Sequence, residues 1–85
     1  MDLAALRASI DRVDDELLAL LNERAKLVRE VRVLKDRLGL PLHVPTREQE
    51  IVERLARTNA GPFPSEDIGP VFEEVLRGCL KAATD

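Results

Sequence analysis

Two cationic side chains interrupt the apolar seam at the start of this chain. Arg24 lies between Leu20 and Leu27, where the spacing of apolar residues predicts another leucine. Lys35 follows eleven residues later, which in a helix is three turns and within about 20° of the same direction. A buried charge is costly without a partner, and no acidic residue occupies the seam. The pair indicates an anion-binding pocket. For Arg24, a buried ion pair or a polar residue that sets helix register are the structural alternatives.

Three further charged residues are candidates for the same pocket. Arg7 precedes Arg24 by seventeen residues, about 25 Å along a helix and roughly 100° around it, so it cannot serve the pocket of its own chain. In an antiparallel pair of chains it can reach the pocket of the partner, whereas alone it is a solvated surface arginine. Arg47 and Glu48 open a second predicted helix. Glu48 suits a helix N-terminus, but the cation of Arg47 opposes the helix dipole there.

The single histidine and the single cysteine offer little chemistry of their own. His43 is predicted to be a loop residue, because one His and one Cys give no metal-ligand spacing. Cys79 is predicted to be a small core residue, since no base accompanies it as a nucleophile requires. What remains is a cation-lined pocket with one carboxylate, which suits a small polyanionic substrate held in guanidinium forks. Its chemistry would be positioning and electrostatic stabilisation of developing charge.

One long helix must position Arg24 and Lys35. Ten apolar residues of segment 3–38, together with Arg24, recur at alternating spacings of three and four residues, which is a heptad seam. Its apolar members are Leu3, Leu6, Ile10, Val13, Leu17, Leu20, Leu27, Val31, Leu34 and Leu38. Asp2 can cap the start, and Gly39 followed by Pro41 predicts the end.

Two shorter helices are predicted after it. Thr46 and Gln49 form a capping-box pattern, which predicts a helix over about residues 46–58. The segment NAGPFP, residues 59–64, indicates a turn, and a third helix is predicted over about residues 66–83. Since no strand pattern or internal repeat is present, the chain is predicted to be one all-α domain, residues 1–85.

The first helix is too long for a compact monomer. About 36 helical residues span roughly 54 Å, and the two shorter helices cannot cover both ends of its apolar stripe. We therefore expect an intertwined homodimer in which the long helices pair antiparallel. A parallel coiled-coil dimer decorated by two short helices is the alternative.

Composition excludes several classes of function. Aromatic residues are only 2% of the 85 residues, so there is no stacking platform for single-stranded nucleic acid. The net charge of −3 gives no basic field for nucleic acid or anionic membranes. A single cysteine excludes an internal disulfide and fits a reducing compartment. With no signal-peptide pattern and no run of transmembrane length, a cytoplasmic location is expected.

Five segments together form a specific pattern. They are LRASIDRVDDELLALLNER, the Lys of VRVLK, LPLHVPTREQEIVERL, NAGPFP and a third helix that ends VFEEVLRGCL. Over nearly its whole length the chain resembles the all-helical (AroQ-type) chorismate mutases, including the domains that occur alone or fused to prephenate dehydratase or DAHP synthase. The resemblance implies a homodimer with two equivalent sites, which convert chorismate to prephenate by a Claisen rearrangement in phenylalanine and tyrosine biosynthesis. It implies no covalent intermediate, cofactor or metal.

The resemblance also implies roles for the candidate residues. Arg24 and Arg7 of the partner subunit would bind the two substrate carboxylates. Lys35 would contact a carboxylate and the ether oxygen, and Glu48 would accept a hydrogen bond from the substrate hydroxyl, with Arg47 beside it. The apolar walls would come from Val31, Val44, Ile51, Leu76 and Leu80, and Cys79 would stand where the family has Ser or another small residue.

The chain departs from the family pattern at three positions. Arg32 replaces a usual Gly and is expected to lie off the seam, and Val44 replaces an Asp of some members, whose contribution the backbone can supply. Ala83 stands where the family has Gln or Glu as the second group on the ether oxygen. Loss of one such donor typically costs about 2.7–4 kcal/mol, or roughly 10²–10³ in rate. Thr84 lies about 100° further round the helix, so reduced activity is expected.

Three other functions fit the sequence. The first is a regulatory or dimerisation domain of the same fold that binds prephenate or an aromatic amino acid. The second is isochorismate-pyruvate lyase, against which the intact PTRE element, residues 45–48, favours the mutase. The third is a plain coiled-coil module, which predicts that Arg24→Leu stabilises the protein and affects no ligand. A free-standing protein, a domain of a bifunctional chain and a complex with another shikimate-pathway enzyme are all compatible with the sequence.

Overall fold

The computed structural model describes residues 2–84, which form three α-helices and one short 3₁₀ turn. Helix α1 spans Leu3–Leu38, α2 spans Pro45–Thr58 and α3 spans Ile68–Thr84, with the 3₁₀ turn at Ser65–Asp67 just before α3. No strand occurs among these residues. The predicted all-α class with one long and two shorter helices is confirmed.

Both predicted ends of α1 are present. The Asp2 carboxylate accepts a hydrogen bond of 2.7 Å from the backbone N–H of Ala5, which satisfies one of the free donors of the first turn. Gly39 ends the helix with φ 69° and ψ 27°, the left-handed conformation that glycine adopts without strain. Beyond it, the N–H of Leu40 donates to the carbonyl of Lys35 at 2.9 Å, so the last turn of α1 is closed.

The start of α2 differs from the prediction. The helix begins at Pro45, with Val44 as its N-cap and no side-chain capping bond. The capping box is wrong: Thr46 is already inside the helix, and the Gln49 amide donates to Glu53 at 3.1 Å instead. Proline at the first helical position has a suitable φ and no N–H to satisfy, so the helix starts before Thr46.

The turn between α2 and α3 is held by one side chain. The Asn59 amide donates to the Phe63 carbonyl at 2.6 Å and to the Ser65 hydroxyl at 3.1 Å, while its oxygen accepts from the Gly61 N–H at 3.1 Å. The Gly61–Pro62 peptide is cis. These bonds return the chain so that α3 packs against both α2 and the C-terminal half of α1.

The core lies along α3, and α1 contributes no buried residue to it. The buried side chains are Ile51, Leu76, Cys79 and Ala83. The apolar seam of α1 stays in solvent, with Leu6 45% and Leu17 54% exposed. The chain measures 55 × 25 × 16 Å and its radius of gyration is 15.9 Å, against about 12 Å for a compact domain of this length.

In the described part of the chain, no helix has the length and apolarity needed to cross a membrane.

Candidate active site

A cleft of about 190 Å³ lies where α1, the segment before α2, and helices α2 and α3 meet. It has a polar side, formed by two cations from α1 and by the neighbouring Arg47 and Glu48 of the first turn of α2. Its apolar side is shared by all three helices and the segment before α2. Its lining residues are Arg24, Val28, Val31, Lys35, Leu42, Val44, Arg47, Glu48, Ile51, Leu76, Cys79 and Leu80.

The two cations of the α1 seam line this cleft together. Both Arg24 and Lys35 are half-buried. They face the same cleft because they lie three turns apart on one helix and so point in nearly the same direction. Lys35 Nζ donates to the carbonyl of Leu42 at 3.3 Å, which ties the segment before α2 to α1. Within residues 2–84, Arg24 has no carboxylate partner. The structural alternative of an ion pair inside the chain is therefore not found there, and the guanidinium is available to an anion.

Glu48 faces the cleft from the first turn of α2, where the helix dipole favours its negative charge. Its side chain is 28% exposed, and its Oε1 lies 3.1 Å from Nε2 of His43. Arg47 lines the edge of the cleft but is exposed, with its guanidinium 4.0 Å from the Glu50 carboxylate. The cleft thus combines positive charge on α1 with a single, positioned carboxylate on α2.

The five predicted wall residues, Val31, Val44, Ile51, Leu76 and Leu80, all line the cleft, as does Cys79. Cys79 is only 4% exposed. Sequence reasoning missed Val28 and Leu42 as lining residues. Val28 had a signal, since it lies four residues after Arg24 and seven before Lys35 on the same helix. Leu42 takes part through its carbonyl, which no residue pattern specifies.

His43 is a loop residue, as predicted, but its contact with Glu48 was missed. The five-residue separation of the two residues spans the start of α2. Whether they meet depends on where that helix begins, and the sequence placed its start one residue too late.

Two predicted site residues lie outside this cleft. Arg7 is exposed on the N-terminal half of α1, and Ala83 is buried in the last turn of α3 without lining the cleft. The Ala83 carbonyl accepts a hydrogen bond from the guanidinium of Arg32. Two positions at which the chain departs from the family pattern are therefore in contact with each other.

Arg32 belongs to a small junction between α1 and α3. It is half-buried and lies 3.6 Å from the carboxylate of Asp36, one turn on. Arg29 donates in parallel to the carbonyl of Ala82 at 3.0 Å. Arg32 thus lies off the seam as expected, and in addition it binds the end of α3.

A second groove, of about 600 Å³, lies between α2 and α3 on the other side of Glu48. Its charged lining is mostly acidic, with Glu53 and Glu73 beside Glu48. The guanidinium there, Arg77, is bonded to Glu74, and that hydrogen bond and the negative charge raise the pKa of Arg77. A dianion would be repelled from this groove, so the smaller, cation-lined cleft is the better candidate.

Within residues 2–84 no group of His, Cys, Asp or Glu is placed to hold a metal ion.

Comparison with known proteins fits this geometry. Residues 6–83 match the family described as Chorismate mutase type II. The chain belongs to this family. It is 45% identical over 83 residues to the bifunctional chorismate mutase/prephenate dehydratase of Aquifex aeolicus, a match that covers 93% of this chain and 23% of that protein. It is 34% identical over 74 residues to the chorismate mutase of Methanocaldococcus jannaschii, covering 87% of this chain and 75% of that one.

The fold of the family is confirmed by solved structures. Form II of chorismate mutase from Thermus thermophilus superposes with a TM-score of 0.89 at 44% identity, and the match covers 93% of this chain and 90% of that chain. Several relatives are much longer than this chain, which spans about a quarter of the bifunctional proteins it matches. Family membership and fold are thus established for residues 6–83, while activity has to be argued from the cleft.

Proposed function

We propose that this chain is a chorismate mutase, which rearranges chorismate to prephenate on the route to phenylalanine and tyrosine. The observation that carries the proposal is the convergence of Arg24 and Lys35 on one cleft, where Arg24 has no carboxylate partner within residues 2–84. Chorismate is a dicarboxylate with an ether oxygen and a hydroxyl, so it supplies the anion that these cations lack. Family membership and the similarity to free-standing mutases support the same activity.

The proposed mechanism needs no bond between protein and substrate. Arg24 holds one substrate carboxylate in its guanidinium fork. Lys35 keeps one hydrogen bond to Leu42 and has further N–H donors for a carboxylate and the ether oxygen, where negative charge grows as the C–O bond breaks. Glu48 accepts a hydrogen bond from the hydroxyl. A new C–C bond forms as the C–O bond breaks, so every atom of chorismate is retained in prephenate.

We further propose that the active protein is an antiparallel homodimer, with the partner subunit's Arg7 completing each site. The exposed apolar seam on the N-terminal half of α1 and the large radius of gyration support this, because no other element within residues 2–84 covers that seam. Arg7 lies on this same uncovered half, beyond the reach of its own cleft.

The direct test is a steady-state assay of chorismate loss and prephenate formation. We expect turnover by the wild-type chain. Ala83→Gln adds a hydrogen-bond donor about one helical turn after Cys79, which lines the cleft, and should raise turnover by up to roughly 10²-fold. Arg57→Ala, on the exposed last turn of α2, is the control and should match wild type. Ala83 is 5% exposed, so the larger side chain is expected to lower the free energy of unfolding by about 1–3 kcal/mol.

The outcomes separate the alternatives. Turnover by Ala83→Gln but not by wild type would mean that the natural chain is a binding or regulatory domain. No turnover by either form would overturn the enzyme proposal. Isochorismate serves as the control substrate, since release of pyruvate from it would identify a lyase.

The bifunctional relatives support one more proposal, that this chain acts beside another shikimate-pathway enzyme, either in a complex or as part of a longer chain. Co-purification of such an enzyme with the tagged protein from its native cells would support a complex. Its absence from a purification that retains mutase activity would contradict one.

A further inference from the structure

We propose that His43 is a positioning residue, which holds the Glu48 carboxylate in the orientation that the substrate hydroxyl requires. This inference rests on the proposed mutase function. Its basis is the 3.1 Å contact between His43 Nε2 and Glu48 Oε1. Within residues 2–84, His43 is the hydrogen-bond partner of the Glu48 carboxylate. The imidazole therefore holds one carboxylate oxygen, and the other oxygen is left for a ligand.

The position of Glu48 explains why it needs to be held. Its side chain lines both the cation-lined cleft and the acidic groove between α2 and α3. His43 lines the groove but not the cleft. Because one oxygen of Glu48 is bonded to His43 on the groove side, the direction of the other oxygen is fixed. The bond also excludes side-chain rotamers in which the carboxylate would turn away from the cleft.

The backbone around His43 is itself fixed by the same site. The preceding carbonyl, of Leu42, accepts from Lys35 Nζ at 3.3 Å. The following carbonyl, of Val44, accepts from the N–H groups of Arg47 and Glu48 at 3.0 and 3.2 Å. One short segment thus connects the lysine of α1 to the glutamate of α2, with the imidazole between them. Such preorganisation is what an electrostatic site requires, because its groups must not reorient during the reaction.

Neighbouring charges do not replace this contact. On the groove side Glu53 and Glu73 repel the Glu48 carboxylate, and Arg77 is bonded to Glu74. On the cleft side, Arg24 and Lys35 attract the carboxylate but are the groups that the substrate carboxylates would occupy, and the guanidinium of Arg47 lies 4.0 Å from the carboxylate of Glu50 instead. Orientation of the Glu48 carboxylate therefore depends on His43.

The test compares His43→Ala with His43→Gln in the full chain. His43 is exposed, with 57% of its side chain in solvent, so both variants should fold with an unchanged unfolding temperature. Because the contact is partly solvated, we expect kcat/KM to fall by about three- to tenfold in His43→Ala. His43→Gln keeps an N–H donor of similar reach and should recover most of that loss.

A double-mutant cycle separates positioning from a general structural effect. In a Glu48→Ala background, His43→Ala should have no further effect on kcat/KM, since no side chain is left there for the imidazole to orient. Equal losses in both backgrounds would overturn the inference. If Glu48→Ala is too slow to assay, the recovery by His43→Gln decides.

The inference and the proposed function fail in different ways. Wild-type activity with an equally active His43→Ala overturns the positioning role alone. An inactive wild-type chain that also binds no chorismate in calorimetry overturns the mutase proposal, and the role of His43 with it.

Discussion

Arg24 is the residue at which sequence and structure agree most directly. Its place in the heptad seam and its distance of eleven residues from Lys35 are properties of one helix, so they could be predicted before any packing was known. The cleft contains both side chains, and it also contains the predicted walls on α2 and α3. Residues on one continuous helix are predictable because a single period fixes their relative directions.

This residue gives a prediction that distinguishes an enzyme from a structural coiled coil. Arg24→Leu restores the apolar seam and removes a half-buried cation, so the free energy of unfolding should stay within about 1 kcal/mol of wild type or rise. Turnover should fall by roughly 10²–10³, because a charged donor to the substrate is lost. Denaturant unfolding and steady-state kinetics measure the two effects, with the exposed Lys26→Ala as a control. A stabilised variant with full activity would show that Arg24 has only a structural role.

Contacts between different segments were not predictable in the same way. Three such contacts depend on where a helix starts or on how two helices cross: His43 with Glu48, Lys35 with the Leu42 carbonyl, and Arg32 with the Ala83 carbonyl. The spacing of apolar residues gives neither the first residue of a helix nor a crossing angle. The sequence therefore named most of the residues that line the cleft, but not the hydrogen bonds that hold its polar groups in place.

At the scale of elements, the end of α3 is held by α1. Arg29 and Arg32 donate to the carbonyls of Ala82 and Ala83, which lie in the last turn of α3 where carbonyls lack helical partners and the dipole favours a cation. These two bonds join the end of α3 to the half of α1 that carries Lys35.

We expect Arg32→Ala to lower the free energy of unfolding by about 1 kcal/mol, since the bond is charge-assisted but its donor is partly exposed. The control is Arg12→Ala, an exposed arginine on the N-terminal half of α1. Urea denaturation of both variants measures the difference. No loss of stability in Arg32→Ala relative to Arg12→Ala would show that the junction contributes nothing.

The two helix starts provide a matched pair. Asp2 caps α1 with a 2.7 Å bond, so Asp2→Ala should cost about 1 kcal/mol in the free energy of unfolding. Thr46 lies inside α2 and makes no capping bond, so Thr46→Ala should change it by less than about 0.5 kcal/mol. The capping-box prediction failed because Pro45 is an equally good helix start, and pattern alone does not rank the two. A cost of about 1 kcal/mol for Thr46→Ala would reinstate the box.

At the scale of the whole molecule, the chain has too much apolar surface for its core. No residue of α1 is buried, although α1 carries most of the large aliphatic side chains. The extent of the chain, 55 Å in its longest direction, is close to the roughly 54 Å that 36 helical residues require. Helix length and seam could be predicted from the sequence, and together they are the reason to expect a second chain on the N-terminal half of α1.

The antiparallel dimer with Arg7 acting across subunits can be tested by mixing two inactive variants. In a hybrid of Arg7→Ala and Arg24→Ala chains, one site receives Arg24 from the first chain and Arg7 from the second, while the other site lacks both. Random exchange of subunits should then restore about a quarter of the wild-type activity, since half the dimers are hybrids and each has one complete site. Light scattering should give twice the 9.5 kDa mass of the chain throughout.

Each variant refolded alone is the control for this mixing experiment and should remain nearly inactive. An Arg7 that acted within its own subunit would leave every hybrid site short of one arginine, so mixing would recover nothing. Recovery of activity in the mixture therefore requires both a dimer and a site shared between its subunits. That combination accounts for an arginine about 25 Å from its own cleft and for a seam that residues 2–84 leave uncovered.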